Sequence, residues 1–139
     1  MIRNVCEDEL FLGLCFFLST SSRDRPPESC LVVKGKRIVS GSASSKCLLG
    51  ELEGSAEFLS LSKLNDEKLF NCEIYIDHTP SPLLLSYLSK FTFNRIVYFS
   101  IEEISSEINF LKSSLVRFSG NLNWIRDKVS DMKGSDIFS

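Results

Sequence analysis

At 139 residues the chain is long enough for one substantial core, and it is read as a single domain over 1–139. Hydrophobic residues make up 43% and charged residues 24%, an ordinary globular balance that excludes wholesale disorder. A formal net charge of −2 supplies no overall field for a polyanion, so nucleic acid is not expected among its partners.

Residues 8–22 carry Leu10, Phe11, Leu14, Cys15, Phe17 and Leu18 at helical spacing, which predicts a first helix. The apolar run Leu10–Leu18 is too short to span a bilayer, and Glu7, Asp8 and Glu9 precede it where a leader would be basic; no membrane association is expected. Ser19–Pro27 ends the helix, and Pro26-Pro27 forces an extended entry into the next segment. Cys30–Val33 and Arg37–Val39, joined through Lys34-Gly35-Lys36, predict a hairpin with Gly35 at the positive-φ position. The Ser- and Gly-rich stretch Ser40–Gly54 reads as a loop.

A second helix is expected over Ser55–Asn65, with Ser55 as N-cap and Glu57 in its first turn. A strand over Cys72–Asp77 and a helix over Pro82–Lys90, with proline in the first turn, follow. Arg95–Phe99 is nearly all apolar, as an interior strand covered on both faces would be. The remainder reads as a helix over Ile101–Lys112, a short strand over Leu115–Phe118, and a terminal helix over Asn121–Met132 anchored by Trp124, Ile125 and Val129. A hairpin followed by strand–helix alternation predicts a mixed sheet of about five strands between helices, with its later strands parallel.

Five cysteines (Cys6, Cys15, Cys30, Cys47 and Cys72) form no Cys-x-x-Cys pair. The odd count and apolar neighbours suggest reduced thiols and a cytoplasmic setting, the host cytoplasm if the protein is viral. The chain has no Gly-x-Ser-x-Gly elbow, no Gly-x-x-x-x-Gly-Lys-Ser/Thr phosphate loop and no Gly-x-Gly-x-x-Gly.

The words inside this element order, taken together, carry a family likeness. Leu31-Val32-Val33-Lys34-Gly35-Lys36-Arg37-Ile38-Val39-Ser40-Gly41, then Ser55-Ala56-Glu57, then Ile74-Tyr75-Ile76-Asp77-His78-Thr79-Pro80-Ser81-Pro82-Leu83-Leu84, then Asn94-Arg95-Ile96-Val97-Tyr98 follow in order. This series resembles the zinc-dependent cytidine deaminase superfamily, most of all the deoxycytidylate deaminases of bacteria and phages. The resemblance implies the three-layer α/β/α cytidine deaminase-like fold.

In that family a His and two Cys hold zinc, which activates water, while a Glu that is not a ligand moves the proton. Position by position, the ligand His falls on Ser55, the first Cys on Ser81 and the second on Leu84; only the Glu is kept, as Glu57. Serine is a poor zinc ligand and leucine has no donor atom, so neither a metal nor another cofactor is expected. Glu57 then reads as a first-turn helix acid favoured by the macrodipole. The sugar-contacting Gly-Tyr-Asn of the family is replaced by Gly41-Ser42-Ala43.

His78, the one histidine, falls near the old pocket and reads as an ordinary strand-end residue, with Cys47 and Cys72 as core fillers. Arg23, Arg25, Lys34, Lys36, Arg37 and Lys46 make the first third locally basic and read as the solvated edge of a hairpin. The expectation is a catalytically inactive, deaminase-like structural or regulatory subunit. Its partners would be itself, another protein subunit such as an active deaminase, or a larger complex, since deaminases of this type commonly assemble. A nucleotide-binding sensor is the alternative, and a divergent deoxycytidylate deaminase ranks last.

Overall fold

The computed structural model describes residues 5–65, 71–100 and 114–118. Within them the elements run α1 (Val5–Ser19), β1 (Ser29–Lys34), β2 (Arg37–Ala43), α2 (Lys46–Leu49), α3 (Ala56–Leu61), β3 (Glu73–Ile76), α4 (Pro82–Leu88), β4 (Arg95–Phe99) and β5 (Ser114–Phe118). The helices expected over Ile101–Lys112 and Asn121–Met132, with Trp124, lie outside the described residues. No described helix is long and apolar enough to cross a membrane.

The five strands form one mixed sheet in the order β2-β1-β3-β4-β5. β1 pairs antiparallel with both β2 and β3, whereas β3–β4 and β4–β5 are parallel. The hairpin closes through Gly35 and Lys36, both at positive φ, so that Lys34 faces Arg37. Two positive-φ residues match the twist of the flanking strands, and lysine adopts there what sequence alone assigns only to glycine.

Alternation along the strands builds two apolar layers. Cys30 and Val32, Ile74 and Ile76, and Ile96 and Tyr98 face one side, where they pack with Ala56 and Leu61 of α3 and Leu88 of α4. Leu31, Val33, Tyr75 and Val97 face the other, under Phe11, Leu12, Cys15 and Phe16 of α1. The α1 layer is tied down by a polar clamp: the Tyr75 hydroxyl donates to Asp8 at 2.8 Å, and Arg95 reaches Asp8 at 2.9 Å and Glu73 at 2.7 Å.

One expectation needs correction. Ser40–Gly54 is not a continuous loop: β2 runs on to Ala43, and Lys46–Leu49 form a helical turn. Gly41 permits the strand, because a Cβ there would lie 2.7 Å from Leu31 Cδ2 on the paired strand. The turn forms although none of its residues is buried, since Asp24 accepts the Lys46 and Cys47 backbone N–H groups at 2.7 and 2.9 Å.

Candidate functional site

Two helix N-termini frame the candidate site. Ser55 caps α3: its Oγ accepts the Phe58 N–H at 3.2 Å and donates to the Leu52 carbonyl at 2.7 Å. Ser81 caps α4, accepting the Leu84 N–H at 3.3 Å, with Pro82 at the first helical position. Leu84 is a core residue, 1% exposed. These are the three positions where the family resemblance places zinc ligands. Two carry neutral hydroxyls already committed to capping, and the third has no donor, so the residues present do not fit the zinc ion of that family. Among the described residues no group of three or more His, Cys, Asp or Glu side chains is arranged to hold a metal ion.

The sheet register brings other residues together instead. In the antiparallel β1–β3 pair Cys30 faces Ile76. Continued by two residues, that register sets Glu28 opposite His78. Both positions share the strand parity of the α3-facing side, so their side chains meet Glu57 in the first turn of α3.

His78 Nε2 lies 3.1 Å from Glu57 Oε1 and 3.7 Å from Glu28 Oε1. Its Nδ1 is hydrogen-bonded to Asp77 Oδ1 at 2.9 Å, and the same oxygen accepts the Ser29 N–H at 2.9 Å. Glu28 Oε1 is also 2.7 Å from Lys46 Nζ. The Glu57 side chain has no exposed surface and that of His78 is 12% exposed. Burial by itself would pull the His78 pKa down. The carboxylates of Glu57, Asp77 and Glu28 override it and push it up to about 10.

These contacts act through charge more than through directed hydrogen bonds. Glu57 Oε1 and Oε2 and His78 Nε2 are buried side-chain atoms outside hydrogen-bonding geometry with any described residue, while Glu28 Oε1 is held by Lys46 Nζ at 2.7 Å. His78 is therefore not an ordinary strand-end residue, and Glu57, in the first turn of α3 as expected, is buried against it. Sequence reasoning also missed Glu28, which follows two prolines and carries no periodic or motif signal.

Outside this cluster lies a cavity of about 390 Å³ whose lining includes Arg23, Arg25, Glu28, Lys46, Cys47 and Glu51. Glu28 and Lys46 thus face the cavity on one side, and Glu28 faces His78 on the other. Arg25 donates to the Asp24 and Ser22 carbonyls, and Lys36 pairs with Glu7 at 3.2 Å. The basic residues of the first third are therefore divided between this cavity and the hairpin tip. Cys72 is buried in the core, as expected, but Cys47 is exposed, and its hydrogen bond to Asp24 pushes its thiol pKa up. Cys47 is thus no core filler.

No protein-family model matches the chain, and no curated protein matches it in sequence. Among solved structures it is similar to a chain from work on A-to-I editing by tRNA:A34 deaminases at the wobble position of transfer RNA. There the identity is 16%, the coverage 81% of this chain and 99% of that one, and the TM-score 0.63. It is also similar to Acinetobacter baumannii RibD, at 14% identity and TM-score 0.67 over 92% of this chain and 39% of that one. A second form of RibD gives 13% identity and TM-score 0.63. The chain thus spans 39% of the RibD chain. These likenesses, with the sheet order and helix placement above, are those of a deaminase-like α/β fold.

Proposed function

We propose that this chain is a deaminase-like protein without deaminase activity, serving as a structural or regulatory subunit of a homo- or hetero-oligomeric assembly. The observation that carries the reading is the occupancy of the old catalytic corner. Ser55 and Ser81 spend their oxygens on helix caps, Leu84 is core, and Glu57 is sealed against His78 with no exposed surface. A general base must reach the proton it moves, and a carboxylate shut inside an ion pair reaches none. Leu10 and Leu14 on α1, Ile38 and Val39 on β2, and Leu48 and Leu49 on α2 are exposed apolar surface of the kind that subunit contacts cover.

The test is deamination of deoxycytidine monophosphate by the untagged protein, alongside native mass spectrometry of the protein isolated from its source. No turnover above an Glu57→Gln control, with the chain found in a complex, supports the reading. Turnover that Glu57→Gln abolishes, or a strictly monomeric chain with no retained partner, overturns it.

A second reading, a nucleotide-binding sensor, draws on the cavity beside Arg23, Arg25 and Lys46, where cationic side chains suit a phosphate. A thermal-shift screen with deoxynucleotides tests it. Absence of stabilisation at ligand concentrations of about 1 mM would remove it, because a saturating ligand raises stability by mass action.

A further inference from the structure

The disagreement between this site and a zinc site has a positive content. We infer that the imidazolium of His78 is the resident cation of this corner, a charge built into the chain opposite Glu57, Glu28 and Asp77. The inference rests on the reading of the site as metal-free given above.

The argument is geometric. Nδ1 of His78 is aimed at Asp77 Oδ1 at 2.9 Å, and that oxygen already accepts the Ser29 backbone N–H. An oxygen accepting from Ser29 and engaged by the ring acts as a carboxylate acceptor, so Nδ1 carries a proton. Nε2 then decides the charge of the ring. It sits 3.1 Å from Glu57 Oε1 and 3.7 Å from Glu28 Oε1, with all three atoms buried. A bare lone pair at Nε2 would add negative potential to a spot held by two acidic side chains, whereas an N–H there supplies the missing positive charge. Neither neutral tautomer serves both ends of the ring.

The charges around the ring agree. Asp77 faces it from the end of β3, Glu57 from α3 and Glu28 from the segment before β1. Among the described residues Lys46 of α2 brings a second cation, 2.7 Å from Glu28. Cys30, whose thiol pKa is pushed up by burial and by Glu57, stays neutral and contributes no charge. Among the described residues at this corner, three carboxylates against Lys46 would leave an excess of two negative charges, and a protonated His78 halves it. One other proton placement would relieve the same crowding: a neutral Glu57 carboxyl donating to a bare Nε2. The experiment separates the two.

His78 is the one histidine of the chain, so the ring ¹⁵N signals of the untagged, uniformly labelled protein need no assignment. Long-range ¹H–¹⁵N correlation at pH 7 and pH 8, with metal content measured on the same sample, reads the state of each nitrogen. Two protonated-type nitrogens at pH 8, where an ordinary histidine with a pKa of about 6.5 is almost wholly neutral, are the expected result. In Glu57→Gln the loss of the second proton should move to lower pH. A bare Nε2 in metal-free protein overturns the inference and leaves the proposed function standing. Stoichiometric metal with a metal-shifted nitrogen overturns both. A doubly protonated ring in a protein that deaminates its substrate supports the inference and overturns the proposed function alone.

Discussion

Glu57 Oε1 and His78 Nε2 lie 3.1 Å apart, and the carboxylate they share the corner with, Glu28, stands 3.7 Å from the same nitrogen. A buried ion pair is weak evidence of net stabilisation, because desolvating both charges consumes much of their attraction. Breaking one is costly, because the survivor stays buried and unpaired. His78→Gln and Glu57→Gln should each lose about 3–5 kcal/mol in urea unfolding at pH 7. The double variant should lose less than the sum, since the second change removes the orphan left by the first. Additive losses would mean that the two side chains do not form a unit.

The same pair sets a pH window. The His78 pKa rises from an ordinary 6.5 to about 10 on folding. A raised cationic pKa means that the folded state holds its proton more tightly. The contribution is full below pH 6.5 and is lost progressively as pH rises from there towards about 10. Urea midpoints measured from pH 6 to pH 10 should fall across that window in the wild type. His78→Gln should fall less, and parallel curves would refute the linkage.

Leu84 stands where the resembling family has a metal ligand, yet it is 1% exposed while its neighbour Leu83 is 48% exposed. Leu84→Ala should therefore cost about 2–5 kcal/mol as a core truncation, and Leu83→Ala should stay within about 0.5 kcal/mol. Chemical denaturation of the two variants side by side checks this. Equal effects would mean that Leu84 is not core.

Asp24 supports α2 from outside the helix. Its carboxyl pKa is held well below the usual carboxylate range: partial desolvation opposes this, but the Cys47 and Lys46 N–H groups prevail. Since α2 buries none of its residues, the cap is its main support. Asp24→Ala should cost about 1–2 kcal/mol and remove hydrogen-exchange protection from the Lys46 and Cys47 amides. In the wild type this contribution is present above pH 3.8 and is lost as pH falls below that value.

Gly54 has no room for a side chain. An added Cβ would fall 2.5 Å from the Ser45 carbonyl oxygen and 2.6 Å from Lys46 Cα, both backbone atoms that cannot swing aside. Gly54→Ala should destabilise by about 1–3 kcal/mol, with thermal unfolding as the measurement. Gly35→Ala, which meets nothing within 4 Å, pays only for its positive φ of 57° and should cost less.

Apart from α2, the order of the described elements was legible because each rests on a local signal. Ser55 as a cap and Pro82 in a first turn announce the starts of α3 and α4, and the apolar run Arg95–Phe99 announces an interior strand. The turn at Lys46–Leu49 was not legible, because what holds it is a carboxylate from Asp24, with no stripe or cap within its own residues. That two hydroxyls and an apolar side chain stand at Ser55, Ser81 and Leu84 could be read directly. The cluster of Glu28, Glu57 and His78 could not, since the three sit in separate segments.

The sequence by itself determined the order of the described strands and main helices, the two-sided alternation that makes a covered sheet, and the side-chain types at Ser55, Ser81 and Leu84. Those depend on residue type and short spacing alone. Only the tertiary structure decided that β1 would lie beside β3 in a register that sets Glu28 opposite His78, and that α3 would cover that face with Glu57. The physical reason is that a charge is governed by what surrounds it in space. Burial removed the water from Glu57 and His78, and only the packed sheet supplied each with the other.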